Sequence, residues 1–212
     1  MQIDRLILGE FQTNCYVVRA DESASDCLTI DAGLDADDLI EFLQQHRLNP
    51  VATILTHGHV DHIVAVTPLR HHFPQIRVYI HKLDADMLTD PQANLSVLAG
   101  MTFAAEPADV LLEDGDTVDE AGIRLNVLHT PGHTPGGICL YAGSEGVVFV
   151  GDTLFADSVG RTDFPGGDMD QLIEGIRSKL FTLPDKTVVH PGHGMRTTIG
   201  REKRSNPYVH GL

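Results

Sequence analysis

Seven consecutive residues, Thr56-His57-Gly58-His59-Val60-Asp61-His62, bring three imidazoles and a carboxylate together. Neutral imidazole is the commonest protein metal ligand, and imidazole combined with carboxylate suits zinc, iron or manganese. The chain has 12 histidines in 212 residues, so three of them within seven positions beside an aspartate is a concentration that scattered surface histidines do not give. His59 and His62, three apart, can share one face of a helical turn, whereas His57 and His59 meet only where the backbone is extended or bent. The stretch therefore offers two clusters of donors.

Three further candidates stand in equivalent places. His133 lies in Thr130-Pro131-Gly132-His133-Thr134 after the run Leu125 to Leu128. Asp152 follows Val147-Val148-Phe149-Val150-Gly151, and His193 follows Val188-Val189 in His190-Pro191-Gly192-His193-Gly194. Each is a polar residue just past an apolar run with a glycine before it, and the first stretch likewise follows Val51 to Leu55. Donors at the ends of neighbouring strands collect on one rim of a sheet, where α/β folds place their sites.

The elements that must position them alternate between two periods. Ile3 to Leu8, Cys15 to Val18 and Cys27 to Ile30 predict consecutive antiparallel strands. Asp35 and Asp38 are suited to capping a helix through Leu39, Ile40, Phe42 and Leu43, which Asn49-Pro50 breaks. Ile63, Val64 and Val66 predict a short helix, and Thr67-Pro68 the N-cap and first residue of a second piece to Phe73. A strand over Arg77 to Ile80, a helix over Lys82 to Leu88 and a loosely helical connection over 89 to 109 complete the first half. The second half predicts strands at Val110 to Leu112, Ile123 to Leu128, Ile138 to Tyr141, Val147 to Val150 and Thr187 to Val189. Its helix is capped by Asp168, with apolar Leu172, Ile173, Ile176 and Leu180. Two such halves are satisfied most simply by two mixed sheets face to face with helices outside, a single α/β (α+β) domain over residues 1–212.

Composition limits the function. No apolar run reaches the roughly 20 residues of a membrane helix, and the first residues lack a secretory pattern, so a cytoplasmic protein is expected. A formal net charge of -15 argues against nucleic-acid and anionic-membrane surfaces, which need clustered Lys and Arg. Cys15, Cys27 and Cys139 are odd in number and far apart, so buried free thiols are expected instead of disulfides. His71, His72 and His81 are expected at the surface. His129 and His190 are candidates either for orienting ligands or for plain structural roles.

With these residues in view, the chain resembles the metallo-β-lactamase superfamily, whose His-x-His-x-Asp-His signature is His57 to His62. Within it the chain is most similar to the short bacterial relatives of the type II glyoxalases, the hydroxyacylglutathione hydrolases. The likeness also rests on Asn14-Cys15-Tyr16, Asp31-Ala32-Gly33, Gly151-Asp152-Thr153-Leu154-Phe155 and Gly160-Arg161. It implies an αββα four-layer sandwich. It implies that His57, His59 and His133 bind one divalent metal, that Asp61, His62 and His193 bind a second, and that Asp152 bridges both. Zinc is the first choice, with iron or manganese as alternatives, and Asp61 is assigned a catalytic as well as a ligand role.

The chemistry implied is hydrolysis of S-2-hydroxyacylglutathione, such as S-lactoylglutathione. Two cations sharing a water lower its pKa so that hydroxide is present near neutral pH, and a thiolate leaves without strong acid assistance. Arg161 stands where the family carries a lysine and can pair with a substrate carboxylate, and Phe164 is a second candidate for contact with the substrate. Asp163 and Met195 stand where tyrosines assist glutathione binding in the family. Only 19 residues follow His193, too few for the family's C-terminal helical domain; Arg196, Arg201, Lys203 and Arg204 in that tail are read first as a solvated end, with binding of substrate carboxylates as the alternative. Gly160-Arg161-Thr162-Asp163-Phe164 also resembles persulfide dioxygenases, single-iron enzymes, which gives an oxygenase alternative; a lactonase is another. The partner implied is a small-molecule thioester, and the sequence leaves the oligomeric state open.

Overall fold

Period-two alternation of apolar residues builds both sheets. In a computed structural model describing residues 1–209, the first sheet holds β1 (Gln2–Leu8), β2 (Thr13–Arg19), β3 (Asp26–Ile30), β4 (Asn49–Ile54), β5 (Arg77–His81) and β6 (Val110–Leu112) in that spatial order. Its first three strands pair antiparallel and the rest parallel. Chain order then gives β7 (Thr117–Glu120), β8 (Ile123–His129), β9 (Ile138–Ala142), β10 (Val147–Gly151), the hairpin β11 (Leu154–Phe155) and β12 (Ser158–Val159), β13 (Val188–Pro191) and β14 (Thr197–Thr198). The second sheet runs β14-β13-β10-β9-β8-β7, with only β10 and β13 parallel.

Because successive side chains leave opposite faces of a strand, each sheet feeds two apolar layers. Tyr16, Leu28, Ile30, Ile54, Leu125, Val127, Leu140 and Phe149 meet between the sheets. Cys15, Val17, Cys27, Val78 and Ile80 turn outward under α1 (Ala36–Gln45), α2 (Val60–Ile63) and α3 (Val66–His72), packing on Leu39, Leu43, Ile63 and Leu69. On the far side Cys139, Val148 and Val150 pack under α4 (Met169–Ser178) and α5 (Ile199–Ser205) on Leu172, Ile176 and Ile199. The expected αββα sandwich is the fold observed. Phe149, fully buried between the sheets, contributes roughly 2–3 kcal/mol by burial.

Several local expectations change. Asp35 occupies the N-cap of α1 but is left-handed at φ 58 and makes no capping bond; its carboxylate accepts the Gly9 amide instead. The second short helix begins at Val66 behind Ala65, so Thr67-Pro68 lies inside it and caps nothing. Lys82–Leu88 is a 3₁₀ helix. Asp168 does cap α4, accepting the Gln171 amide at 3.0 Å, but that helix ends at Ser178 and Leu180 begins a 3₁₀ turn. Four elements went unpredicted: β7, the β11–β12 hairpin, β14 and α5. Arg196, Arg201, Lys203 and Arg204 are exposed, as the solvated reading expects, although α5, which carries the last three, buries Ile199 and Glu202. Among the described residues no helix is long and apolar enough to cross a membrane.

Candidate metal centre

The donor loops leave the carboxyl ends of β4, β8, β10 and β13, all on one rim of the sandwich. β4 ends at Ile54, and Leu55-Thr56 carries the chain to His57 before α2 begins at Val60. The loops are joined across the sheets: Asn14 at the start of β2 donates its amide to Gly192 O at 2.7 Å, and Ile138 donates to Thr56 O at 2.9 Å. Asp84 accepts from Gly58 N, Thr134 Oγ1 and Gly136 N at 3.1, 2.7 and 2.6 Å, bracing the His57 to His62 loop against the His133 loop. Asp84 was not foreseen.

This scaffold gathers all seven predicted donors. Ligand atoms of His57, His59 and His133 form one group within 4.8 Å of each other, and those of Asp61, His62 and His193 a second. Asp152 joins His57 and His62 in a third group that links the first two. His59 Nδ1 and His133 Nε2 face each other at 2.9 Å, and His62 Nε2 and His193 Nε2 at 3.2 Å.

The outer ring nitrogens are held by acceptors. His133 Nδ1 donates to Arg161 O at 2.7 Å, His193 Nδ1 to Phe11 O at 3.0 Å and His62 Nδ1 to Asp31 Oδ2 at 2.9 Å. His57 Nδ1 lies 3.1 Å from Thr56 Oγ1, which in turn bonds the Asp31 carboxylate. A ring whose outer nitrogen carries the proton presents a lone pair inward. Asp31 is the second residue that the sequence left without a role, although it falls within a stretch carrying the family likeness. Its signal is positional: an aspartate directly after β3, left-handed at φ 59.

Electrostatics favour the same use. Burial, then the neighbouring imidazoles, holds His57 well below the ordinary imidazole range and lowers His59 to about 3, so both rings are neutral donors. For Asp61 burial acts upward but is outweighed by His62, His193 and the Thr13 hydroxyl, and the carboxyl stays below its usual range. For His62 burial acts downward and is outweighed by Asp61, Asp31 and Asp152, which push it up to about 10. Three carboxylates around one buried ring make a field that draws cations.

Two buried polar atoms lack any hydrogen-bond partner here: His57 Nε2 and Asp152 Oδ1. Buried donors and acceptors are almost always satisfied; these two, both atoms of predicted donors, fit a pair of divalent cations. The set is all imidazole and carboxylate, without thiolate. Gly192 is required beside it, because a Cβ there would collide with Asp152 Oδ1 and His62 Cε1.

Above the donors opens a cleft of about 530 Å³. His59, Asp61, His133, Asp152 and His193 form its polar floor, and Arg161 and Phe164 line it as well. The turns over residues 91–100 form one wall and are anchored by Val60 N donating to Asn94 O at 2.9 Å. Arg161 does not reach into the cleft as a free cation. Its Nε and one terminal nitrogen donate to Asp163 at 2.6 and 2.7 Å, and its guanidinium lies 4.0 Å over the Phe164 ring.

The other histidines separate. His71 and His72 are exposed as expected. His81 is buried, stacked on His129 at 4.1 Å, and accepts the Leu83 amide, which corrects its surface assignment. His190 stacks on Phe149 at 5.1 Å, and His129 bonds Pro135 O. Tyr16 is buried and donates to Pro191 O at 2.7 Å.

The chain as a whole is similar to known proteins. A profile of the Metallo-beta-lactamase superfamily matches residues 8–193. An uncharacterized protein of Mycobacterium leprae is 43% identical over 213 residues, 96% of each chain. The hydroxyacylglutathione hydrolase GloC of Haemophilus influenzae is 36% identical over 211 residues, 99% of this chain and 98% of GloC. Among solved structures, the BLEG-1 B3 metallo-beta-lactamase superposes with a TM-score of 0.94 at 41% identity, covering 99% of this chain and 100% of that one. TTHA1623 in a di-iron-bound form gives 0.85 at 39%, covering 97% and 99%. ETHE1 from Myxococcus xanthus gives 0.81 at 32%, covering 98% and 84%.

Proposed function

This chain belongs to the metallo-beta-lactamase superfamily, and we propose that within it the chain hydrolyses thioesters of the S-(2-hydroxyacyl)glutathione class, S-lactoylglutathione being the diagnostic substrate. The observation that carries the reading is the pairing of two donor clusters, linked through Asp152, on the floor of an open cleft. His57, His59 and His133 would hold one cation and Asp61, His62 and His193 the other, zinc first and iron or manganese as alternatives. When bound, such a pair acidifies a water and polarises a carbonyl oxygen.

The chain's own residues account for the rest. No cysteine serves as nucleophile: all three are buried, and burial raises the Cys139 thiol to about 11 and the Cys27 thiol to about 12. Thr13 Oγ1 donates to Asp61 Oδ2 at 3.1 Å, holding that carboxylate in its ionised, cation-binding form. Water adds to the thioester carbonyl carbon, the carbon–sulfur bond breaks, and the thiolate departs and takes a proton from solvent. A thiolate needs no general acid to leave.

GloC, with nearly full mutual coverage, supports the thioester class. A β-lactam is the second reading, favoured by the likeness to BLEG-1. The metal-loaded protein should release glutathione from S-lactoylglutathione, and neither hydrolyse nitrocefin at a comparable rate nor consume oxygen with glutathione persulfide. Absence of thioester cleavage in the fully metallated protein rejects the reading; nitrocefin hydrolysis or oxygen uptake would replace it by a lactamase or an oxygenase.

A further inference from the structure

Large apolar side chains stand in water at the mouth of the cleft. Leu98 is 73% exposed and Phe11 49%, and both border the same cavity as the metal donors, together with Leu95, Phe155 and Phe164. Isolated exposed leucines are ordinary, but several converging on one concave site are what a binding cleft presents to an apolar ligand.

Charge in the cleft tells against a highly ionic ligand. Among the described residues Arg161 is the only Lys or Arg that lines it, and its fork is closed by Asp163. A substrate carboxylate that displaced Asp163 would exchange one exposed ion pair for another, with little net gain. The basic residues near the C-terminus lie outside the cleft: Arg201 bonds Asp157, Lys203 bonds Phe181 O, Arg204 lies 3.7 Å from Asp185, and the exposed Arg196 borders a separate cavity with Val188 and Thr198. Glutathione carries two carboxylates and would find no free Lys or Arg among the described residues that line the cleft.

We propose that, on the thioester reading above, the cleft selects the thiol half of its substrate by apolar contact with Leu98 and Phe11, so that thioesters of uncharged, apolar-tailed thiols are cleaved at least as well as the glutathione thioester. Leu98 is a specificity-determining residue in this scheme, and the charges of the thiol contribute nothing to binding.

The test compares two lactoyl thioesters with the metal-loaded full chain: S-lactoylglutathione and S-lactoyl-N-hexanoylcysteamine, both thioesters of alkyl thiols. The expected kcat/KM for the uncharged thioester equals or exceeds that for the glutathione thioester. Leu98→Ser, at an exposed position where folding is not at stake, should raise KM for the uncharged thioester at least threefold and leave kcat in place. A higher kcat/KM for the glutathione thioester, or an unmoved KM in Leu98→Ser, overturns the inference while the thioester reading stands. Cleavage of neither compound overturns the thioester reading and this inference with it.

Discussion

Asp31 grips His62 with one carboxylate oxygen and the Thr56 backbone with the other: His62 Nδ1 lies 2.9 Å from Asp31 Oδ2, and Thr56 N lies 2.8 Å from Asp31 Oδ1. Through the Thr56 hydroxyl the same carboxylate also stands behind His57. One buried side chain therefore orients a ring in each donor cluster. Asparagine tolerates the left-handed backbone at this position, so Asp31→Asn removes charge without straining the chain. Metal affinity should fall about 10- to 100-fold, measured by competition with a chelator; an unchanged affinity would show that the rings are aimed by something else.

Gly192 supplies a second, purely steric test. Its backbone is not left-handed, so alanine is conformationally acceptable, yet the added methyl would overlap Asp152 Oδ1 and His62 Cε1. Gly192→Ala should lower thioester hydrolysis at least tenfold by displacing the linking carboxylate. Circular dichroism should remain that of the parent. Retained activity would mean that Asp152 can move aside freely.

Metal linkage gives a third. If the seven donors hold cations only in the folded chain, a cation at 100 times its Kd stabilises by about 2.7 kcal/mol. Thermal unfolding with added zinc, iron(II) or manganese(II) should show a rise in Tm that chelation reverses. His59→Ala and Asp152→Ala should lose most of that rise together with activity. A Tm blind to all three cations contradicts the site.

Stability should also fall in acid through histidines outside the donor set. Burial first, then Arg196, lowers His190 to about 4, and burial followed by His129 lowers His81 to about 4. In the unfolded chain these rings titrate near 6.5. Below that value the unfolded state binds more protons than the folded one, so stability is complete above about pH 6.5 and drains away as pH falls toward 4. His190→Phe, which keeps the stack on Phe149, should remove about 1–2 kcal/mol of the loss seen between pH 7 and 5 in urea unfolding. Equal slopes for variant and parent would place the acid sensitivity elsewhere.

What could be read before any coordinates follows from how the information is carried. His57 to His62 is contiguous, and His133, Asp152 and His193 each announce themselves by a glycine at the end of an apolar strand. Asp31 gives a weaker sign, an aspartate directly after an apolar run but with no glycine before it, and Asp84 gives none. The first looks like an ordinary turn aspartate, and the second lies within a segment whose pattern reads as an amphipathic helix, where an acid is expected to face water. Only the fold shows it buried against Gly58, Thr134 and Gly136. β7 was missed because Val118 is the one large apolar residue in four positions, and α5 because its Arg and Lys content hides a helix anchored by Ile199 and the buried Glu202. Arg161 stands out in the sequence for its guanidinium, whereas its clearest link to the donors runs through its main chain.

That last point separates two kinds of freedom. The atom of residue 161 that steadies His133 is a carbonyl oxygen, and every amino acid possesses one. The side chain on the same residue borders the cleft, folded onto Asp163 and Phe164, and exchanging it leaves that carbonyl in place. Position 161 is thus a natural dial: an engineer, or a lineage, could retune which molecules the enzyme admits there while the machinery beneath keeps its grip.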